Sequence, residues 1–316
     1  MKHKILQAGR LLPGLESQLA EAYDVHRLAD ETHPEAFLTS HGHHFTGLVT
    51  SAGGAGAPTA LLKALPSLKV ISSFGVGLDK IDLAQARERG IAVGYTPDVL
   101  NDCVADTAFA LMLDVARRVS EADRYVRAGH WGAPGVSTFG LGRRVSGARL
   151  GIVGLGRIGQ TIARRASGFD MQVRYHSRRP VEGAPWAHEP ALRDLALWAD
   201  YLVLITAGGN GTRHLVNADI LNALGPRSFL INVARGTVVD EHALVQALQE
   251  GRIAGAGLDV FEHEPSVPAA LLSMDNVVLL PHIASATQET RQAMAQRVLD
   301  NLAAFYADGT LVSAAP

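Results

Sequence analysis

A single cysteine, Cys103, in 316 residues leaves no partner for an internal disulfide. The chain therefore suits a reducing compartment and is no disulfide-stapled secreted scaffold. A charge excess of one sign is lacking too. Lys and Arg number 29 against 31 Asp and Glu, spread along the chain, for a formal net charge of −2. That balance points to neither nucleic acid nor an anionic membrane as partner. No run of about 18 apolar residues occurs, which excludes a spanning helix. Met1-Lys2-His3-Lys4 leads into only a brief apolar stretch, too short for the apolar segment of a signal peptide. A cytoplasmic protein is the expectation.

What is present is an ordinary globular composition, 47% hydrophobic and 19% charged. The length predicts two domains of roughly 150 residues. Short apolar runs alternate with amphipathic segments. Strands are expected at Lys4–Leu6, Asp24–His26, Gly47–Thr50 and Lys69–Ser72, with helices at Leu15–Tyr23, Thr59–Leu65 and Leu83–Arg89. Such alternation argues for parallel βαβ units. From Val99 to Ala128, apolar residues recur at helical spacing (Val104, Ala108, Leu111, Val115, Val119), predicting one long helix ended by Gly129. Trp131 to Gly147 reads as an extended arm. Alternation then resumes, with strands expected at Leu150–Val153, Gln172–His176, Tyr201–Leu204, Phe229–Asn232, Gly255–Leu258 and Val277–Leu280, and a last helix at Glu289–Tyr306. The fold class is α/β, with two doubly wound parallel sheets.

Gly154-Leu155-Gly156-Arg157-Ile158-Gly159 follows a strand and opens a helix. In that context the first glycine permits a tight turn. The second lets backbone approach a pyrophosphate, and the third allows close helix–strand packing. Backbone N–H groups and the helix dipole then hold phosphate. An NAD-binding fold places an acid about 20 residues further on, to accept from the ribose 2′-hydroxyl. Here Ser177-Arg178-Arg179 stands instead. A hydroxyl and two guanidinium groups suit a 2′-phosphate, so NADP(H) is expected, with NAD(H) the weaker alternative. A solvated basic loop is the bland reading of the same residues.

Three later segments each put polar residues just past an expected strand: Arg235, then Asp259 and Glu264, then His282. Ligands of open α/β sheets bind beyond the carboxyl ends of strands, which is where these would converge. Their types fit reduction of a keto acid. A permanent bidentate cation serves the substrate carboxylate and developing alkoxide. A histidine is poised to protonate the new hydroxyl at neutral pH, and a neighbouring carboxylate such as Glu264 would favour its charged form. Hydride would come from the nicotinamide.

With these residues in view, the chain resembles the D-isomer-specific 2-hydroxyacid dehydrogenase family, in particular its glyoxylate/hydroxypyruvate reductase branch. The resemblance covers nearly the whole chain. It rests on Phe74 to Asp79, Thr96-Pro97, Val153 to Gly159, Thr212-Arg213-His214, Asn232 to Gly236, Leu258 to Pro265 and Pro281 to Ser285. It implies that Arg235 binds the carboxylate and carbonyl, that His282 donates the proton, and that Glu264 pairs with that histidine. It also implies that Val76 and Gly77 offer amides to the substrate carboxylate, that Asp259 lies near the nicotinamide carboxamide, and that Thr206, Val233 and Ala234 line the cofactor. A flavodoxin-like substrate-binding domain of residues 1–98 and 287–316 is implied, with a Rossmann cofactor domain, residues 99–286, inserted. The helix after Pro97 and its arm resemble dimer-forming elements. Thr206 to Asn210 is looser than the Pro-containing segment common among relatives, and Ser51 to Gly56 is nearly bare of side chains. A roomy pocket would accept hydroxypyruvate, a sugar-derived keto acid such as 2-ketogluconate, or an aryl pyruvate. The family also includes a corepressor branch, so a dinucleotide-sensing interaction protein is the reading from another class.

Other features stay structural at this level. His41, His43 and His44 cluster on a polar stretch without carboxylate or cysteine at ligand spacing, and read as a surface loop with no metal. Cys103 reads as packed on the long helix. Trp131 and Phe139 either reach a neighbouring subunit's site or fill an interface.

Overall fold

The first apolar runs become β1 (Lys4–Gln7), β2 (Asp24–Arg27), β3 (Gly47–Ser51), β4 (Val70–Phe74) and β5 (Ala92–Gly94). All pair in parallel, in the order β2-β1-β3-β4-β5. The structure is a computed structural model describing residues 2–316. β4 is buried at every position, as expected for a parallel strand covered on both faces. The covering helices are α1 (Pro13–Ala22), α2 (Pro34–His41), α3 (Thr59–Ala64) and α4 (Leu83–Glu88). Proline opens α1 and α2, where its missing N–H costs nothing. The Asp82 carboxylate caps α4 by accepting from the Gln85 amide at 3.0 Å. These strands and helices, up to Leu100, form one compact unit with Ala286–Pro316.

Asn101–Ser285 form the second unit. Its sheet contains β6 (Arg149–Val153), β7 (Gln172–His176), β8 (Ala187–His188), β9 (Tyr201–Leu204), β10 (Phe229–Asn232), β11 (Gly255–Leu258) and β12 (Val277–Leu279). The order β12-β11-β10-β9-β6-β7-β8 is all parallel and winds outward both ways from β6 and β9. Its helices are α5 (Asn101–Arg117), α6 (Val119–Arg127), α7 (Arg157–Ala166), α8 (Leu192–Trp198), α9 (Ala218–Leu224), α10 (Glu241–Gln249) and α11 (Ala269–Leu272). The last helix, α12 (Gln288–Asp308), returns to the first unit. There Ser72 Oγ donates to the Val298 carbonyl at 3.0 Å, and Val298 and Leu302 are fully buried. Periodicity alone left that packing open.

The long helix expected over Val99–Ala128 is two helices. Arg118 breaks it with a left-handed backbone, φ 59°. The Asp114 carboxylate takes the Ser120 amide at 2.7 Å, and the Arg118 guanidinium pairs with Glu121 and lies 4.6 Å from the Phe139 ring centre. Val119, the last residue of the expected helical period, lies past the break and is 54% exposed. Residues 131–147 contain no helix or strand, as the arm reading expects. Phe139 folds back, edge-on to Tyr125 at 5.4 Å. β5 and β8 have too few residues to show a period, and the sequence reading did not find them. His41, His43 and His44 are exposed, but on the end of α2 and the following 3-10 turn rather than a loop.

Candidate active site

The turn after β6 explains its glycines atom by atom. Gly154 has φ 102°, a backbone conformation that glycine adopts without strain. A β-carbon there would come within 2.9 Å of the Ile205 carbonyl oxygen and of Thr206. One on Gly159 would overlap the Gly154 carbonyl, so the helix packs against the turn without one. Gly156 differs, because nothing lies within 4 Å of its added carbon. That open space, at the N-cap of α7, is where a phosphate can approach the backbone. Leu155 is buried, Ile158 half-buried and Arg157 exposed.

Past β7, Arg178 and Arg179 are exposed. Ser177 Oγ donates to the Arg179 carbonyl at 2.6 Å, so the guanidinium groups are what this turn presents. Thr206, after β9, is half-buried beside Gly154.

At the end of β10, buried Asn232 shapes the next turn. Its Oδ1 accepts from the Ala234 amide at 3.0 Å and its Nδ2 donates to the Arg235 carbonyl at 3.0 Å. Val233 and Ala234 are buried, and Arg235 emerges half-buried with Nη1 donating to the Ala234 carbonyl at 2.8 Å. Gly236 then runs against the chain after β11, where a β-carbon would overlap the backbone of Phe261 and Glu262.

Asp259, at the end of β11, is 1% exposed. Its carboxylate oxygens accept from the amides of Ile283 and Ala284 at 2.7 and 2.9 Å, and its carbonyl accepts from the His282 amide at 2.9 Å. Burial pushes its pKa up, against the lowering effect of those amides. The carboxylate that the resemblance places near the nicotinamide carboxamide thus also holds the backbone of the histidine loop. The three bonds hold His282 at φ 55°, a left-handed backbone that costs a non-glycine residue about 1 kcal/mol or more and persists only where its surroundings fix it.

His282 Nδ1 lies 2.8 Å from Glu264 Oε2, and Glu264 Oε1 accepts from the Phe261 amide at 3.1 Å. The two side chains are 35% and 32% exposed. Burial raises the Glu264 pKa. The hydrogen bond and charge of His282, the Phe261 amide and the charge of Arg235 together outweigh it, so the group ionises below the ordinary value. The expected guanidinium, carboxylate and imidazole therefore share one electrostatic neighbourhood.

Glu262 anchors this loop from below. Arg213 Nη2 lies 2.7 Å and His214 Nε2 3.0 Å from its carboxylate, while its own amide donates to Glu241 Oε1 at 2.9 Å. The sequence reading assigned no role to Glu262, Asn232 or Gly236. An amide closing an apolar strand and a glycine directly after the arginine were the available signals. Only Arg213-His214 hinted at the partner of Glu262.

In the first unit, Val76 and Gly77 follow β4. Their amides find no acceptor among the described residues. Gly75, just before them, donates to Thr96 Oγ1 at 3.0 Å and accepts from the Thr96 amide at 3.0 Å, which fixes the turn.

Residues 109–284 match the family described as D-isomer specific 2-hydroxyacid dehydrogenase, NAD binding domain. The chain belongs to that family. A 2-ketogluconate reductase of Gluconobacter oxydans is 44% identical over 99% of this chain and 98% of its own. A glyoxylate/hydroxypyruvate reductase A of Arabidopsis thaliana is 44% identical, covering 95% of this chain and 94% of its own. Among solved structures, an NADPH-dependent glyoxylate/hydroxypyruvate reductase of Sinorhizobium meliloti, in complex with NADP and malonate, superposes with a TM-score of 0.91. It is 43% identical, with 100% of this chain and 97% of that one covered. Family members thus share this chain's fold along its whole length.

Proposed function

We propose that this dehydrogenase reduces a small 2-oxo acid of the glyoxylate/hydroxypyruvate class to the D-2-hydroxy acid, with NADPH preferred over NADH. The observation that carries the reading is the 2.8 Å contact between His282 and Glu264, with Arg235 acting on the same carboxylate. The open space at Gly156 and the exposed Arg178 and Arg179 fit a dinucleotide with a 2′-phosphate. Leu155 to Gly159, Thr206, Val233 and Ala234 are assigned to the rest of the cofactor.

NADPH, when bound, supplies the hydride. Arg235 offers a planar, permanently charged fork to the substrate carboxylate and its neighbouring carbonyl oxygen. His282 donates Nδ1–H to Glu264, which leaves Nε2 to carry the proton delivered to the nascent alkoxide. Glu264, accepting from Nδ1, fixes the orientation of the ring. Asp259, assigned near the nicotinamide carboxamide, also positions His282 through the backbone of residues 282–284. The amides of Val76 and Gly77 are assigned to the substrate carboxylate. Residues 1–98 and 287–316 form the proposed substrate domain, and 99–286 the cofactor domain.

A second copy of the chain is the proposed partner. α6 and the arm expose Val126, Trp131 and Leu141, the last at 97%. The cytoplasm is the proposed location, in keeping with the single cysteine. The bare loop after β3 favours a second substrate reading, a sugar-derived acid such as 2-ketogluconate. NADPH oxidation followed by absorbance over glyoxylate, hydroxypyruvate, 2-ketogluconate and hydroxyphenylpyruvate decides among these. Tight dinucleotide binding without turnover of any acid would replace the enzyme with a dinucleotide-sensing interaction protein.

A further inference from the structure

The turn 177–181 is polar and largely exposed, yet it is tied at three points to side chains and backbone. At its start, the Ser177 carbonyl accepts from His188 Nε2 at 3.0 Å. A carbonyl has no proton to give, so Nε2 must carry the hydrogen. In the middle, Ser177 Oγ holds the Arg179 carbonyl at 2.6 Å. At the end, the Val181 amide donates to the Tyr175 hydroxyl at 2.9 Å. Tyr175 is 1% exposed, so that hydroxyl is a fixed post rather than a mobile one.

Both anchors come from the edge of the sheet. Tyr175 and His188 are register partners across β7 and β8, with ring centres 5.1 Å apart. The two-residue strand β8 is itself fastened to β7 by the Glu189 amide on the Tyr175 carbonyl at 2.7 Å, and by His176 Nδ1 at 3.0 Å from the Glu189 carbonyl. A strand so short has little pairing of its own. Its consequence is to deliver His188 beneath the turn.

The geometry points to Tyr175 and His188 as the positioning residues for coenzyme choice: together they hold the turn in the one shape that aims Arg178 and Arg179 at a 2′-phosphate. This rests on the NADPH reading above. An arginine pair on a loose loop loses much of its binding to the ordering of that loop, whereas a pre-shaped loop keeps it. The discrimination therefore lies partly in two side chains that touch no ligand.

The test uses calorimetric titration of the whole protein with adenosine 2′,5′-bisphosphate and with 5′-AMP, which differ by the 2′-phosphate alone. It is paired with the ratio of kcat/KM for NADPH over NADH. Tyr175→Phe and His188→Ala are expected to bind the bisphosphate about five- to tenfold more weakly while 5′-AMP binding stays within a factor of about two, and the NADPH/NADH ratio falls in step. His188→Gln, which keeps an N–H donor, is expected to recover most of the loss. An equal loss for both nucleotides marks general damage to the sheet edge and overturns the proposal, as does no loss at all. If the unsubstituted protein itself does not prefer the bisphosphate, the NADPH reading fails along with it. If it does and the variants keep that preference, only the positioning role fails.

Discussion

Gly236 and Phe261 pack backbone against backbone, with no room between them for a single methyl group. The contact joins the turn that presents Arg235 to the loop that presents Glu264. A β-carbon there must displace main chain, which cannot swing aside as a flexible side chain does. Gly236→Ala is expected to lower stability by about 2 kcal/mol, in the range of overpacked cores, and to cut turnover by about tenfold or more as the two turns separate. Urea denaturation and steady-state rates check both. Wild-type behaviour in both would mean that the turns are not held by this contact.

His282→Ala is expected to slow reduction by at least about a hundredfold, the loss typical of a positioned general acid. NADPH affinity, measured by fluorescence titration, should stay unchanged. An undiminished rate would remove the proton-donor role.

The Glu264–His282 pair leaves a signature in stability against pH. Glu264 ionises below its ordinary value of 4.5, because His282, the Phe261 amide and Arg235 outweigh the raising effect of burial. A depressed native pKa contributes stability that is fully present above the unfolded value and is lost as pH falls through the native one. Unfolding free energies of the unsubstituted protein and Glu264→Gln should therefore differ by a constant amount at neutral pH. That difference should narrow only below 4.5. A difference that keeps its size in acid would contradict the pairing.

Arg178 and Arg179 are expected to set coenzyme preference. Replacing both by Ala should lower kcat/KM with NADPH by about tenfold or more, each charge-assisted hydrogen bond contributing about 1.5–3 kcal/mol, and should leave the value with NADH nearly unaltered. Equal use of NADH and NADPH by the unsubstituted protein would defeat this assignment.

Much of the fold is legible in the sequence. The apolar runs of β1 to β4, β6, β7 and β9 to β12 and the glycine turn carry their geometry locally, since strand burial and phosphate approach depend on residues adjacent in the chain. The break at Arg118 was not legible. Its cause lies in Asp114, Glu121 and Phe139, whose competing contacts override a helical period that runs through the break unchanged. β8 was missed because two residues cannot display a period.

The amino-acid order alone determined the α/β class, the family, the glycine turn and the identities of Arg235, Glu264 and His282, because each is written in neighbouring residues or in their types. Only the tertiary structure decided that Asp259 also holds the histidine loop, that Glu262 is held by Arg213 and His214, and that Gly236 presses on Phe261. Those relations join segments that are distant along the chain, and distance in space between them is set by sheet order, which no local pattern records.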